Sequence, residues 1–149
     1  MFYILFILCL LVTDQVSKYL TVKNLVEYES YSVIKNILSF TRVHNTGGPW
    51  SIFENTPFVF IFMTLIVLTI GFIYFKKHKP THLLEKLSIC MIAGGALGNF
   101  ADRIIRGYVV DMIDVYFFNY PVFNIADCYI VVGAILMCVY VIFLDNKNN

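Results

Sequence analysis

Hydrophobic and polar residues follow one another along the chain in blocks long enough to predict membrane-spanning helices. Residues 57–75 carry no charge, residues 121–144 carry a single carboxylate, and residues 2–20 and 83–102 carry only a few charges. A helix needs about 20 mostly apolar residues to cross a hydrocarbon core of about 30 Å. Each block is therefore predicted to form one transmembrane helix, and residues 1–149 are predicted to form a single integral membrane domain.

The longest polar block, about residues 22–56, follows the first predicted helix. Within it, residues 37–44 are rich in β-forming side chains and are followed by the turn-like sequence N-T-G-G-P at residues 45–49. β-branched and aromatic residues next to such a turn favour a short sheet or hairpin. The pattern thus predicts an all-α membrane protein with four transmembrane helices and a small β-containing platform at the membrane surface.

The distribution of basic residues predicts how the helices are oriented. Four lysines lie between residues 76 and 86, in the connection between the second and third helices, whereas residues 22–56 contain three basic and three acidic residues. Short connections rich in Lys and Arg stay on the cytoplasmic side. We therefore expect both chain termini in the cytoplasm, and the polar blocks 22–56 and 103–119 outside.

The composition indicates that lipid is the solvent of most of this chain. Apolar residues make up 59% of the sequence and charged residues 14%, with a mean hydropathy of +0.75, against about 25% charged residues in soluble domains. This excludes a disordered or nucleic-acid-binding protein. The cysteines lie in apolar blocks without C-x-x-C or ligand-like spacing, so we expect no metal and no cofactor.

Ionisable residues inside the predicted helices need a partner or a function, because each costs roughly 2.5 to 3.5 kcal/mol near the centre of a membrane helix. Asp14 and Lys18 are four residues apart, so we expect an ion pair that supports the fold or a nearby site. Asn99, Asp102 and Arg103 follow the spacing i, i+3 and i+4. We expect all three to project from one face near the outer end of the third helix.

Asp127 is an acidic residue in the fourth apolar block with no basic residue within helical reach. If the fourth helix begins near Pro121, Asp127 lies about 9 Å inside it, on the same face as Asn124. Two carboxyl groups that share one proton can activate a water and protonate a carbonyl or leaving group. The alternative is a single buried acid, hydrogen-bonded to a neighbouring helix. Spacing does not choose among the candidates for a second acid, which are Asp102, Asp111 and Asp114.

Five short motifs occur in order along the chain. They are D-Q-V-S-K at residues 14–18, N-T-G-G-P-W at 45–50, G-G-A-L-G-N-F-A-D-R at 94–103, G-Y-V-V-D at 107–111 and F-N-I-A-D at 123–127. In this order, on a four-helix chain of this size, they resemble the bacterial lipoprotein signal peptidases, also called signal peptidase II. The resemblance implies four transmembrane helices with a small extracytoplasmic β-cradle and a mobile surface helix.

The resemblance also implies roles for individual residues. The catalytic aspartates of the family correspond to Asp111 and Asp127, and Asp102 then has a supporting role. Other family positions line the site, hold the substrate backbone or the aspartates, or form a polar pair on the first helix. In this chain they are Asn45, Asn99, Arg103, Asn124, Asp14 and Lys18. The chain departs from the family at Pro49, where a small residue is usual and a backbone N–H is now lacking.

By this resemblance, the chain is expected to be an aspartic endopeptidase that removes the signal peptide from diacylglyceryl-cysteine-modified prolipoproteins, cleaving just before the lipidated cysteine. It is expected to act as a monomer in the bacterial cytoplasmic membrane, with its site at the outer face, and with prolipoproteins and membrane lipid as partners. The residues alone leave two alternatives open, a small proton-coupled transporter and an accessory subunit of a membrane complex. A transporter has little need for the long outer block.

Small residues cluster in the third predicted helix. Gly94 and Gly98 form a G-x-x-x-G pair, which typically lets a neighbouring backbone approach closely. Together with Gly95 and Ala96, they would alternatively leave room for an acyl chain of the substrate. We predict that Ala96→Phe harms processing more than folding.

Overall fold

The computed structural model describes residues 2–116 and 120–145, so the two chain ends and residues 117–119 of the outer block lie outside the described residues. Four helices are long and apolar enough to cross a membrane. They are α1 (Phe2–Asn24), α2 (Pro57–His78), α3 (Leu83–Arg106) and α4 (Ile125–Phe143). The predicted four-helix membrane fold is thereby confirmed.

The ends of α2 and α3 have local causes in the sequence. α2 ends where Lys79 adopts a left-handed conformation (φ 47°), directly before Pro80, which cannot continue a helix. α3 begins after His82, whose ring accepts a hydrogen bond from the Leu84 N–H. It ends at Gly107 (φ 80°), in the left-handed conformation that glycine adopts freely. Both α1 and α3 continue four residues beyond the predicted spans. The predicted spans ended with the apolar runs, whereas the last turn of each helix contains polar residues.

The fourth helix begins later than predicted. Phe123 forms an antiparallel bridge with Ile113, so the chain does not enter a helix at Pro121. Asn124 then caps α4, because its side-chain oxygen accepts from the Asp127 N–H and the Asp127 carboxylate accepts from the Asn124 N–H. Asp127 therefore lies in the first turn of α4. The prediction that it lies well inside a helix that begins near Pro121 is wrong.

Segments of the two polar blocks that were predicted to lie outside, residues 22–56 and 103–119, form a three-stranded antiparallel sheet. Its strands are β1 (Ser30–Ile34), β2 (Leu38–Asn45) and β3 (Val109–Val115), in the spatial order β1-β2-β3. The predicted hairpin is confirmed by β1 and β2. The third strand was not predicted, since its first four residues are buried in succession rather than in alternation. The pairing of β2 with β3 places Val43 opposite Asp111.

Helix α3 lies at the centre of the bundle and packs against α1, α2 and α4. A Cβ on Gly98 would lie 2.5 Å from Asp14 Oδ2, and one on Gly94 would lie 2.9 Å from another side chain of α1. A Cβ on Gly95 would meet the carbonyl oxygen of Ala126. The predicted packing role of Gly94 and Gly98 is confirmed, but their nearest neighbours are side-chain atoms of α1 and, at Gly98, also the Cβ of Ala126 on α4. The close approach of a backbone occurs at Gly95, where α4 packs against α3.

Candidate active site

A cavity of about 350 Å³ lies among α2, α3, α4 and the loop that follows β2. Residues of α2 and α4 supply much of its apolar wall, and two of them, Met63 and Val131, are about half exposed. Six of the site residues predicted from the sequence form its polar wall. They are Asn45, Asn99, Arg103, Asp111, Asn124 and Asp127.

Asp111 lies on β3 and is almost completely buried. Its carboxyl group accepts hydrogen bonds from Asn45 Nδ2 at Oδ2 (2.8 Å) and from Asn124 Nδ2 at Oδ1 (2.6 Å). Burial, and then the negative charge of Asp127, raise the pKa of Asp111 to about 7, although the two asparagine hydrogen bonds act to lower it. A carboxyl group with this pKa is partly protonated near neutral pH, which suits an acid that donates a proton.

Asp127 faces the same cavity from the first turn of α4 and is partly buried. Its Oδ1 accepts a hydrogen bond from Asn99 Nδ2 (2.7 Å), and its Oδ2 accepts from the backbone N–H of Asn124 (3.2 Å). Because the Asn124 side chain also donates to Asp111, this asparagine contacts both carboxyl groups. Two carboxyl groups held together in this way can share a single proton.

The other acidic candidates lie elsewhere. Asp102 is fully buried against α1, and Asp114 accepts a hydrogen bond from Thr41 (3.1 Å). Of the three candidates, the structure brings Asp111 to the cavity of Asp127. Within residues 2–116 and 120–145, no group of three His, Cys, Asp or Glu side chains could hold a metal ion.

The polar residues of α3 point in two directions. Asn99 and Arg103 line the cavity, whereas Asp102 faces α1 and forms an ion pair with Lys18 (3.1 Å). The prediction that all three project from one face is therefore wrong, because consecutive helix residues such as Asp102 and Arg103 diverge by about 100°. Lys18 also pairs with Asp14 (2.9 Å), which confirms the predicted ion pair on the first helix.

Arg103 holds the loop between β2 and α2. Its Nη2 donates a hydrogen bond to the Gly47 carbonyl (3.0 Å), and its guanidinium lies 4.7 Å from the centroid of the Phe60 ring. The Asn45 side chain accepts a hydrogen bond from the Gly47 N–H (2.9 Å), which tightens the turn. Pro49 then begins a single 3-10 turn, Pro49–Ser51.

Gln15 is a partly buried polar residue of α1 for which the sequence predicted no separate role. Its amide donates hydrogen bonds to Asp14 Oδ2 (3.1 Å) and to the Gly98 carbonyl (3.1 Å), and it lies 3.4 Å from Asp102 Oδ1. An amide inside an apolar helix needs hydrogen-bond partners for the same reason as a charge does. Its position directly after Asp14 is the signal in the sequence that could have identified it.

Known proteins with similar sequences and structures share this architecture. The family model described as signal peptidase (SPase) II matches residues 6–143. The chain belongs to the signal peptidase II family. A lipoprotein signal peptidase of Clostridioides difficile (strain 630) is 38% identical over 148 residues, which cover 99% of each chain.

Two solved structures have the same fold as this signal peptidase II, and both are described as bacterial membrane enzymes determined by the in meso method. The one at 2.3 Å resolution has a TM-score of 0.89 and 33% identity, and the match covers 99% of this chain and 90% of the other. The one at 1.9 Å resolution has a TM-score of 0.87 and 33% identity, covering 95% of this chain and 93% of the other.

The family is one of aspartic peptidases, and the identification from five motifs is confirmed. The motifs of signal peptidase II come from separate elements of the fold. Asn45 ends β2, Asn99 lies on α3, Asp111 lies on β3, and Asn124 and Asp127 begin α4. The fold brings these elements together at one cavity.

Proposed function

We propose that this signal peptidase II removes the signal peptide from lipid-modified prolipoproteins by hydrolysing the bond just before the diacylglyceryl-cysteine, with Asp111 and Asp127 as the catalytic pair. The observation that carries the proposal is that both carboxyl groups line one cavity and are joined through Asn124. The name of the relative from C. difficile, a lipoprotein signal peptidase, supports the same substrate class.

The reaction divides the acid and base functions between the two aspartates. The ionised member takes a proton from a water, whose oxygen bonds to the carbonyl carbon of the scissile peptide, while the protonated member donates its proton to the carbonyl oxygen. The tetrahedral intermediate then collapses. One of its hydroxyl groups returns a proton to the aspartate that had donated one, the C–N bond breaks, and the proton taken from water passes to the leaving amine. Asp111 is suited to carry the first donated proton, since its pKa is raised to about 7.

The polar residues around the pair have distinct parts in this proposal. Asn45 and Asn124 orient the carboxyl group of Asp111, and Asn99 orients that of Asp127. Arg103 lines the cavity and anchors the loop after β2, which supports a role in holding the substrate backbone. These roles depend on the exact positions of the side chains, because a displacement of about 1 Å in an active site reduces the rate about 100-fold.

The cavity suits a substrate that carries acyl chains. Its walls include Met63 of α2 and Val131 of α4, which are 52% and 51% exposed on the apolar surface of the bundle. Helix α2 makes its main contact with α3, and this leaves the cavity accessible from the side between α2 and α4. We infer that the lipidated cysteine enters laterally, with its acyl chains among the membrane lipids.

The charge distribution supports a site at the outer face of the cytoplasmic membrane. The catalytic pair lies at the ends of the helices next to the sheet, and Lys76, Lys77 and Lys79 lie at the opposite end of α2. By the positive-inside rule, the lysine end is cytoplasmic, and both chain termini are then on that side. A single chain supplies both carboxyl groups, so we propose that the enzyme acts as a monomer.

The test is cleavage of a lipidated prolipoprotein by the purified chain and its variants. We expect Asp111→Asn and Asp127→Asn each to lower the rate at least about 100-fold while the protein stays folded in detergent. Asp114→Asn is the matched control, because it removes the same charge from the same strand outside the cavity. Full cleavage by either of the first two variants would overturn the assignment of the pair.

A further inference from the structure

Asp14, Lys18 and Asp102 form a fully buried cluster between α1 and α3, called the buried cluster below. The Lys18 ammonium has three hydrogen atoms, and three oxygen atoms surround it. They are Asp14 Oδ2 (2.9 Å), Asp102 Oδ2 (3.1 Å) and Asn99 Oδ1 (2.9 Å). Arg106 Nε lies 3.3 Å from Asp102 Oδ1, so two acids face two cations. Helix packing alone does not require such a cluster, since apolar residues of similar size often stabilise a fold as well.

Each acid of the buried cluster accepts a hydrogen bond from the backbone directly before a catalytic aspartate. Asp102 Oδ2 accepts from the Val110 N–H (3.1 Å), and the next residue on β3 is the first aspartate. Asp14 Oδ1 accepts from the Ala126 N–H (3.1 Å), and the next residue on α4 is the second aspartate. One small cluster therefore fixes both backbone segments that carry the catalytic pair.

Lys18 adds a third connection through Asn99. The Asn99 oxygen accepts hydrogen bonds from Lys18 Nζ (2.9 Å) and from Asn124 Nδ2 (3.1 Å). An ammonium group only donates, so it holds the oxygen of the Asn99 amide on its own side. The Nδ2 of the Asn99 amide then donates a hydrogen bond to Asp127 Oδ1 (2.7 Å). With the amide turned over, its oxygen would face the carboxylate and the hydrogen bond would be lost.

We propose that Asp14, Lys18 and Asp102 are positioning residues that set the separation and the orientation of the two catalytic aspartates. The proposal rests on the proposed function, because it takes Asp111 and Asp127 as the catalytic pair. The buried cluster acts through backbone N–H groups and through Asn99, and it does not contact the substrate. Such contacts keep the two carboxyl groups at a fixed separation, which a shared proton requires.

Two substitutions of similar size at Asp14 separate this role from a structural one. Asp14→Asn and Asp14→Leu both remove the charge, but only asparagine keeps an oxygen for the Ala126 N–H. We expect Asp14→Asn to retain kcat within about tenfold of the wild type, and Asp14→Leu to lower kcat about 100-fold per folded molecule, with KM unchanged in both. Equal kcat values in the two variants, or a loss confined to the yield of folded protein, would overturn the proposal.

The double variant Asp14→Asn/Lys18→Met tests the connection through Asn99. Arg106 still balances Asp102 in this variant, and Asp14→Asn alone is its control. We expect a further fall of about tenfold in kcat, because the Asn99 amide is no longer held in place by Lys18. The acidic limb of the pH–rate profile should move higher, because the aspartate pair loses this fixed hydrogen bond and also the nearby positive charge of Lys18. An unchanged pH–rate profile relative to Asp14→Asn would count against the proposal.

Two controls keep these outcomes interpretable. Ser17→Ala changes the same helix next to the buried cluster but removes only a hydrogen bond to the Asp14 carbonyl, and it should leave kcat unchanged. If Asp14→Leu gives no folded protein, the double variant decides the question. Failure of the proposed function would show as cleavage by Asp111→Asn or Asp127→Asn. Failure of this proposal would show as wild-type kcat in Asp14→Leu and in the double variant.

Discussion

The side-chain amide of Asn124 donates a hydrogen bond of 2.6 Å to Asp111 Oδ1. The same side chain accepts from the Asp127 N–H (3.0 Å) as the N-cap of α4. A local device that starts a helix is thus also a long-range contact to a strand. The formation of α4 and the assembly of the proposed catalytic pair are therefore coupled through one residue.

Asn124→Ala should reduce both stability and activity. The loss of an N-cap costs about 1 kcal/mol, and a hydrogen bond to Asp111 is lost as well, so we expect a lower Tm and a fall in kcat of about 10- to 100-fold. Thermal unfolding in detergent and cleavage of a lipidated prolipoprotein measure the two effects. Asn124→Ser is the matched comparison, since serine caps helices about equally well but removes the amide that donates to Asp111. It should keep more of the Tm than Asn124→Ala and lose a similar part of the activity.

The contribution of Asp111 to the stability of the enzyme should fall as the pH rises from about 4 to about 7. The folded protein holds the Asp111 proton up to a pKa of about 7, against an ordinary value of 3.8, so the folded state binds more protons than the unfolded state in that window. Asp111→Asn removes this term. Its Tm should therefore exceed that of the wild type at pH 8, and the difference should shrink toward pH 4. A difference that does not depend on pH would refute this.

Neighbouring small residues of α3 should respond differently to enlargement. Ala96 lines the cavity, so Ala96→Phe should fill substrate space and lower cleavage at least about tenfold with little loss of folded protein. Gly95→Ala should instead prevent normal folding, because its Cβ would meet the Ala126 carbonyl. Gly71→Ala is the control, since a Cβ there meets nothing within 4 Å and should stabilise α2 by about 0.5 to 1 kcal/mol. The folded fraction and kcat/KM of each variant measure these effects.

The helices were predictable because each depends on a local run of apolar residues. The start of α4 was not predictable, since the bridge between Phe123 and Ile113 keeps Phe123 with the sheet and delays the helix. That bridge requires β3, whose first four residues are all buried. Such a strand lacks the alternation of buried and exposed residues by which a strand is predicted from sequence. The error in the depth of Asp127 follows directly from this missed strand.

The site was predictable in part. Helical spacing found the pair of Asp14 with Lys18, because both residues lie on one helix. It did not find Asp102 as a second partner of Lys18, since that contact joins two helices. The choice of Asp111 as the partner of Asp127 required the family resemblance, because a strand and a helix meet there and no spacing rule relates them.

Gly98 leaves the space that the Asp14 carboxyl group occupies, and a Cβ would lie 2.5 Å from Asp14 Oδ2. Position 98 is therefore not free to gain a side chain while Asp14 keeps its place. A lineage that acquired alanine at position 98 would first have to shorten or displace the side chain at position 14. It would thereby lose the hydrogen bond from the Ala126 N–H to Asp14. Across the family, residues 14 and 98 should have evolved as a unit.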